Sequence, residues 1–474
     1  MAFAENISRS DGLVAATRRW TEGWITRLRG LRASPSLSRA TILARLARYD
    51  FAAPVALEAV ALDVEELLAH GAVQSSHPRY FGLFNPTVRA AGVVADAIAA
   101  LYNPQVGAWW HAPAAAELER VALAWCVRRT GLDPEDATAM FTSGGSEANH
   151  MAVLVALTRR LDGFASAGAR GVAGTPVFYA SEQAHDSFVK IAHACGLGRA
   201  ALRRIASDAR QRLDIAQLRT QISIDRARGC APFLVVATAG TTATGAIDPL
   251  DAIADVCEAE GLSFHVDAAW GGAALLTDQL AHHLVGIARA DSITWDAHKT
   301  LPVPMSAGMF IARGRAATEA TFLVHTGYVP DGEPGTVDLY QHSLQWSRRF
   351  IGLKVFMTLA ELGERGIAAL VDRQLERAAL LRGALVAAGW SIENDSPLPV
   401  VCFSHPALGP AGERVTALVR AVVARGEVWL SEVRHPGGRH VVRACITNVD
   451  TTDADVHALI AELTRGLREV ASEL

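Results

Sequence analysis

An α/β architecture built on a largely parallel sheet is the fold class this sequence predicts. Three observations carry that prediction. Short apolar or β-branched runs at 177–179, 233–237, 263–266, 292–295 and 309–312 are each bounded by Gly, Pro, Ser or Asp. Helical patterns such as 251–260 separate many of them, which is the alternation of a sheet covered by crossover helices. Half of the 474 residues are hydrophobic, enough for a large buried core and incompatible with a disordered chain.

The elements follow in order. Residues 1–76 read as a helical N-terminal segment, with Arg and Trp concentrated at 18–31 and an apolar helical period over 54–70. A polar break leads into an aromatic stretch, HPRYFGLFNP, at 77–86. Strand and helix patterns alternate from about 88 to 315, and residues 77–350 form the expected large domain. Within it, 325–340 is a Gly/Pro-rich loop carrying Gly327, Pro330, Gly332, Pro334 and Gly335. A helical run at 345–362 opens the last part. The strand-like runs 400–403, 427–430 and 441–446 among helices predict a smaller α+β domain over 351–474.

Composition excludes several function classes. The net charge of −4 argues against a general polyanion binder, so no nucleic-acid partner is expected. The six cysteines have no CxxC spacing, and their number at this size fits a reducing cytoplasm better than a disulfide scaffold. No stretch reaches 18 uncharged apolar residues, and residues 1–12 lack the apolar core of a signal peptide, so no membrane partner is expected. HExxH is absent, and the His282–His283 pair reads as a solvated helix face, so no metal site is expected.

Lysine is scarce. It occurs at Lys190, Lys299 and Lys354 only, while the other 42 basic residues are arginine. Chemistry that needs a lysine amine therefore has three side-chain candidates. Lys299 ends SITWDAHK (292–299), where a strand runs into a polar turn. A lysine that attacks a carbonyl must be held rigidly and be deprotonated enough to react. A surface lysine at a strand end is the plain alternative. Asp267, in FHVDAAWGG (264–272), ends another strand and would point into the crevice at the carboxyl edge of a parallel sheet. A carboxylate there can pair with a protonated pyridine nitrogen; it can also cap the helix that follows.

Other segments add candidates. FTSGGSEAN (141–149) precedes an apolar helical run, so Gly144, Gly145 and Ser146 would offer backbone N–H groups at a helix N-terminus, a natural phosphate site or simply a cap. Its GxSxA spacing lacks the second glycine of a nucleophile elbow. His185, in ASEQAH after a strand, could lie on an aromatic ring or be structural. ATAGTTATG (237–245) suits close approach to a ligand or a tight turn. The GxGxxA at 196–201 follows a helix rather than a strand and reads as a helix stop.

Together these segments resemble the pyridoxal 5′-phosphate-dependent group II amino-acid decarboxylases, the aromatic-amino-acid, glutamate and cysteine-sulfinate decarboxylase family. The matching pieces are HPRYF (77–81), TSGGSEAN (142–149), SEQAH (181–185), ATAGTT (237–242), HVDAAWGG (265–272), DAHK (296–299), QWSRRF (345–350) and RACITN (443–448). The resemblance implies fold type I, with a mostly parallel seven-stranded sheet and a small C-terminal domain. It implies a homodimer whose N-terminal segment wraps the partner and whose active site lies at the subunit interface.

By position, the resemblance makes Lys299 the Schiff-base lysine, Asp267 the partner of the pyridine nitrogen and His185 the residue stacked on the ring. Gly145, Ser146 and His298 become phosphate contacts, Thr242 and Ala269 cofactor-side contacts, and Arg443 the receiver of a substrate carboxylate. Phe84 and Trp109, from an aromatic set with Tyr80, Phe81 and Trp110, are substrate-wall candidates or core. Tyr328 and Tyr340 are both candidates for the loop tyrosine that protonates the product carbon.

Two departures stand out. Asp296 occupies a position where relatives often carry asparagine. Neither loop tyrosine aligns cleanly by counting back from 348–350, and relatives that lose this tyrosine can turn to oxidative deamination. Decarboxylation of an L-amino acid to an amine is therefore the expected activity. A carbon–carbon lyase, an aldehyde-forming oxidative deaminase and a catalytically silent scaffold are the alternatives. Trp270 resembles the glutamate and cysteine-sulfinate branch more than the aromatic one.

Overall fold

The computed structural model describes residues 22–84, 87–325, 333–409, 412–435 and 438–472. Its central sheet has seven strands: β1 (Thr138–Thr142), β2 (Thr175–Ser181), β3 (Leu202–Ile205), β4 (Cys230–Thr238), β5 (Ser263–Asp267), β6 (Ser292–Asp296) and β7 (Gly308–Ala312). Their spatial order is β1-β7-β6-β5-β4-β2-β3. All neighbours pair in parallel except β7, which runs antiparallel to both β1 and β6.

The strands are apolar on both faces because helices cover both. Val177 and Tyr179 face one buried cluster, while the alternating Phe178 and Ala180 face another. Consequently β2, β4, β5 and β6 end along one edge of the sheet, with Thr238 opposite Asp267 and Asp267 opposite Thr294. Two strands, β1 and β3, escaped the sequence reading. TAMFT and LRRI are short, and the polar residues of each blur the pattern.

A second, antiparallel sheet follows: β8 (Ser391–Ile392), β9 (Val400–Ser404), β10 (Ser431–Arg434) and β11 (His440–Cys445), in the order β10-β11-β9-β8. Val401, Phe403, Val442 and Ala444 pack there against Leu418 and Val422 of the helix Gly412–Arg425 and Leu459 and Leu463 of the helix Asp453–Ser472. The strand expected at 427–430 is displaced. There Trp429 makes only an isolated bridge to Tyr80, and β10 begins two residues after it. Stacking of Trp429 on Tyr80, with ring centroids 5.1 Å apart, uses the aromatic run for packing instead of for the sheet.

The helix expected at 345–362 begins later, at Gly352, and extends to Ala387 across a break at Gly363 (φ 61°). Residues 345–351 stay outside the helix because Arg348 is drawn into the core. Its Nη2 donates to the Phe141 carbonyl at 2.9 Å and lies 3.9 Å from Glu119 Oε2. Glu119 is fully buried and accepts the Gly352 N–H at 2.8 Å, anchoring the helix start. Burial pushes the Glu119 carboxyl up from its ordinary range. The buried pair makes a direct prediction. Arg348→Met strands the Glu119 charge and should cost about 3–5 kcal/mol in urea unfolding. The double change Arg348→Met with Glu119→Leu should cost less than that single change, because no charge is then left alone.

Before the sheet, the helices Arg39–Leu46 and Leu57–Gly71 contain no buried residues. Phe51, Leu57 and Leu68 are among the side chains they and their connection leave exposed. Among the described residues, no helix is long and apolar enough to cross a membrane, and no cluster of His, Cys, Asp and Glu could hold a metal ion.

Candidate active site

The carboxyl edge of the sheet opens into a cavity of about 370 Å³. It is lined by the ends of β4, β5 and β6 and by the N-terminus of the helix Gly145–Arg160. Cavities of this size at strand ends are where α/β folds bind ligands. Glycines allow close packing just behind the cavity lining. A Cβ on Gly271 would lie 1.9 Å from the Ala239 carbonyl, and one on Gly308 would lie 2.6 Å from Thr142 Oγ1.

Lys299 lines this cavity from the single turn after β6, its side chain 26 % exposed. Its Nζ lies 2.8 Å from Asp296 Oδ2, a carboxylate that is itself almost completely buried. Among the described residues, no hydrogen-bond donor in favourable geometry reaches either Asp296 oxygen, so the ion pair with Lys299 is its main compensation. The other lysines are elsewhere. Lys190 is exposed on the helix Ser187–Ala194, and Lys354 is buried against Asp96 at 3.1 Å.

Asp267 lines the same cavity from the end of β5. Its Oδ2 accepts from Asn149 Nδ2 at 2.9 Å and its Oδ1 from the Ala269 N–H at 3.1 Å. Asn149 in turn meets His265 Nε2 at 3.1 Å, and His265 Nδ1 meets Ser292 Oγ at 2.9 Å.

Complete burial pushes the His265 imidazole down to about 4. The unfolded ring protonates near 6.5 and the folded ring only near 4, so between these values the unfolded chain holds more protons. Stability is therefore lost as pH falls through that window, His265 alone contributing on the order of 3 kcal/mol. Burial also lowers His77, His150, His298 and His342, which act in the same direction. Urea unfolding at pH 7 and at pH 5 should show a lower midpoint at pH 5, with a smaller drop in His265→Gln.

The remaining candidates divide. Gly145, Ser146, His185, Thr242, Ala269, His298 and Phe84 all line the cavity. His298 Nδ1 accepts the Ala307 N–H at 3.0 Å, so the neutral ring carries its proton on Nε2, where it can donate. His185 Nδ1 accepts the Ser187 N–H at 3.2 Å, with the same consequence. Phe84 stacks on Trp270, centroids 4.1 Å apart, and both line the cavity.

Arg443 is fully buried behind Phe84, its guanidinium 4.9 Å from that ring, and does not line the cavity. Nη1 donates to the Gly82 carbonyl at 2.8 Å and Nε to the Ala243 carbonyl at 3.2 Å, while Nη2 has no hydrogen-bond partner among the described residues. Trp109 lines a separate cleft of about 160 Å³ and donates to Glu117 at 3.0 Å. Tyr340 is buried beside Trp346, and its hydroxyl meets Gln341 rather than the cavity. Tyr328 lies outside the described residues.

The sequence reading missed Asn149, His265 and Glu147. Asn149 and Glu147 line the cavity. Glu147 accepts from the Ser143 N–H at 2.8 Å and from Gln345 Nε2 at 2.6 Å, tying QWSRRF to the helix that floors the site. Strand period could have flagged His265, since residues two apart share a face and His265 stands two before Asp267.

A lysine and an aspartate from adjacent strand ends, facing one cavity over a helix N-terminus, define a class. Enzymes that hold pyridoxal phosphate use a covalent lysine and an acidic partner for the ring nitrogen. Comparison with known proteins narrows the class. Residues 46–405 match the family model described as the pyridoxal-dependent decarboxylase conserved domain. The chain belongs to that family, and it is a pyridoxal phosphate-dependent carboxy-lyase.

Two relatives illustrate its range. The chain is 30% identical over 422 residues to cysteine sulfinic acid decarboxylase of Mus musculus, covering 83% of each. It is 29% identical over 404 residues to aromatic-L-amino-acid decarboxylase of Bacillus atrophaeus, covering 83% of this chain and 82% of the relative. The solved apo structure of mouse CSAD superposes with a TM-score of 0.87 at 26% identity, over 96% of this chain and 99% of that one. The cavity fits the cofactor: it joins an amine, an acceptor-only carboxylate and free helix N–H groups, and a Cβ on Gly145 would crowd Asp296 Oδ2 at 2.9 Å.

Proposed function

We propose that this protein converts an L-amino acid to the corresponding amine and carbon dioxide, with Lys299 as the covalent anchor of the cofactor. The observation that carries the reading is the shared cavity of Lys299 and Asp267 at the ends of β6 and β5. When bound, pyridoxal 5′-phosphate supplies an electrophilic carbonyl and an electron sink.

The chain supplies the rest. Lys299, from the turn after β6, would hold the cofactor covalently through its amine. The Asp267 carboxylate, doubly hydrogen-bonded, keeps a positive ring nitrogen paired. The helix N-terminus at Gly145 and Ser146, with the His298 Nε2–H, would hold the phosphate. His185, Thr242 and Ala269 line the cavity and would hold the cofactor from its sides. Phe84 gives the substrate an apolar wall, and Arg443, bound to the Gly82 and Ala243 carbonyls, backs that wall. One proton must replace the lost carboxylate at Cα. His185, exposed at the cavity, is the described residue suited to carry it, and Tyr328 is the loop candidate.

The protein acts as a homodimer in this reading, with the active site at the subunit interface. Support comes from the exposed apolar side chains of 51–73, an area a soluble chain normally covers. A cytoplasmic location is supported by six cysteines that form no disulfide.

A panel of L-amino acids, aromatic and acidic, assayed together for carbon dioxide, amine, aldehyde and oxygen uptake tests this. Amine and carbon dioxide in equal amounts are expected. Aldehyde with oxygen consumed would establish the oxidative deaminase instead, and aldehyde without carbon dioxide the carbon–carbon lyase.

A further inference from the structure

Asp267 ends a chain of hydrogen bonds that the proposed reaction does not call on. Asn149, His265, Ser292 and Thr294 form it, each at most 5 % exposed. We infer that His265 is a positioning residue that sets the charge of Asp267: its Nε2–H tautomer turns the Asn149 amide so that an N–H, not the carbonyl, meets the carboxylate.

The argument is one of matching donors to acceptors. The structure places His265 Nδ1 2.9 Å from the Ser292 hydroxyl and Nε2 3.1 Å from Asn149 Oδ1; with the proton on Nε2, the hydroxyl donates to Nδ1 and Nε2–H donates to Asn149 Oδ1. Asn149 Nδ2 then donates to Asp267 Oδ2 at 2.9 Å. Every donor finds an acceptor, and Asp267 needs no proton.

A second arrangement is available to the same atoms. The Ser292 carbonyl lies 3.1 Å from His265 Nδ1 and would accept a proton carried there. Nε2 would then be an acceptor, and the Asn149 amide would have to turn its NH2 toward the ring. That brings Asn149 oxygen against Asp267 oxygen, which is tolerable only with a proton on Asp267. The tautomer of a buried ring and the charge of a cavity carboxylate are thus tied together.

The first arrangement is the one that keeps the Asn149 amide as the structure has it, Nδ2 toward Asp267 and Oδ1 toward the ring. Thr294 Oγ1, 3.5 Å from Nε2, can accept from a protonated Nε2 or donate to a bare one. Phe188, edge-on with its centroid 6.3 Å away, closes another side of the ring with no polar group.

The consequence for the cofactor rests on the reading of Asp267 as partner of the ring nitrogen, and the test separates the two. In cofactor-free protein labelled with 15N-histidine, side-chain nitrogen shifts should show His265 protonated on Nε2. Protonation on Nδ1 overturns the inference.

The second measurement is the equilibrium dissociation constant of pyridoxal 5′-phosphate. Asp267→Asn, His265→Phe and Asn149→Leu should each weaken binding by about 10- to 100-fold, as losing a hydrogen bond to a charged group does. His265→Gln, which can still present an N–H to Asn149, should restore most of the affinity. If Asp267→Asn is weak while His265→Phe and Asn149→Leu bind normally, the relay is wrong and the Asp267 reading stands. If all three bind normally, both fall. Should His265→Phe fail to fold, Asn149→Leu and the tautomer decide.

Discussion

Lys299→Ala should abolish covalent attachment of the cofactor and lower turnover by at least about 10³-fold, the scale on which loss of a group that acts in the transition state is felt. The effect should be chemical more than structural. The side chain is partly exposed in the cavity, so truncation opens no hole in the core. It does strand the buried Asp296 carboxylate, whose cation is Lys299 Nζ at 2.8 Å. Lys299→Arg separates the two losses. Arginine keeps a positive charge near Asp296 but offers no amine that can lose its proton. Steady-state turnover of Lys299→Arg should therefore be as low as that of Lys299→Ala, while its thermal midpoint stays closer to the parent's. Activity within tenfold of the parent in either variant would remove Lys299 from the mechanism.

Asp267→Asn should lower kcat by about 10²–10³-fold, the range seen when one preorganised electrostatic contact is removed from a reacting centre. The shape of the side chain is kept and the negative charge is lost. Asn149 Nδ2, which donates to Asp267 Oδ2 at 2.9 Å, would then meet either an amide oxygen or another NH2 group. Covalent attachment through Lys299 should survive, since the amine belongs to a different strand end. Full turnover in Asp267→Asn would show that the carboxylate does not serve the ring nitrogen.

The parts of this protein legible in its sequence are those governed by local pattern. Apolar runs at 233–237, 263–266 and 292–295 became β4, β5 and β6 because a parallel sheet buried on both faces needs no polar alternation. Strand ends then carried Asp267 and Lys299 to one edge, and the glycines of TSGGSEAN opened the helix beside them. What was not legible depended on contacts between distant segments. Arg348 reads as part of a helix until Glu119, 229 positions earlier, draws it into the core and delays the helix to Gly352. Trp429 reads as strand until Tyr80 claims its ring. Asn149 and His265 lie inside the quoted motifs, yet only the fold sets one against the other at 3.1 Å. Arg443 and Trp109 show the same limit. Each stands in a readable segment, but Phe84 separates the first from the cavity and a different cleft receives the second.

The most direct test of the central claim uses the scarcity of lysine. Holoprotein reduced with borohydride and digested should carry the cofactor's mass on one peptide, the one containing Lys299, with Lys190 and Lys354 unmodified. Label on Lys190 or on Lys354, or its persistence in Lys299→Ala, would contradict the account.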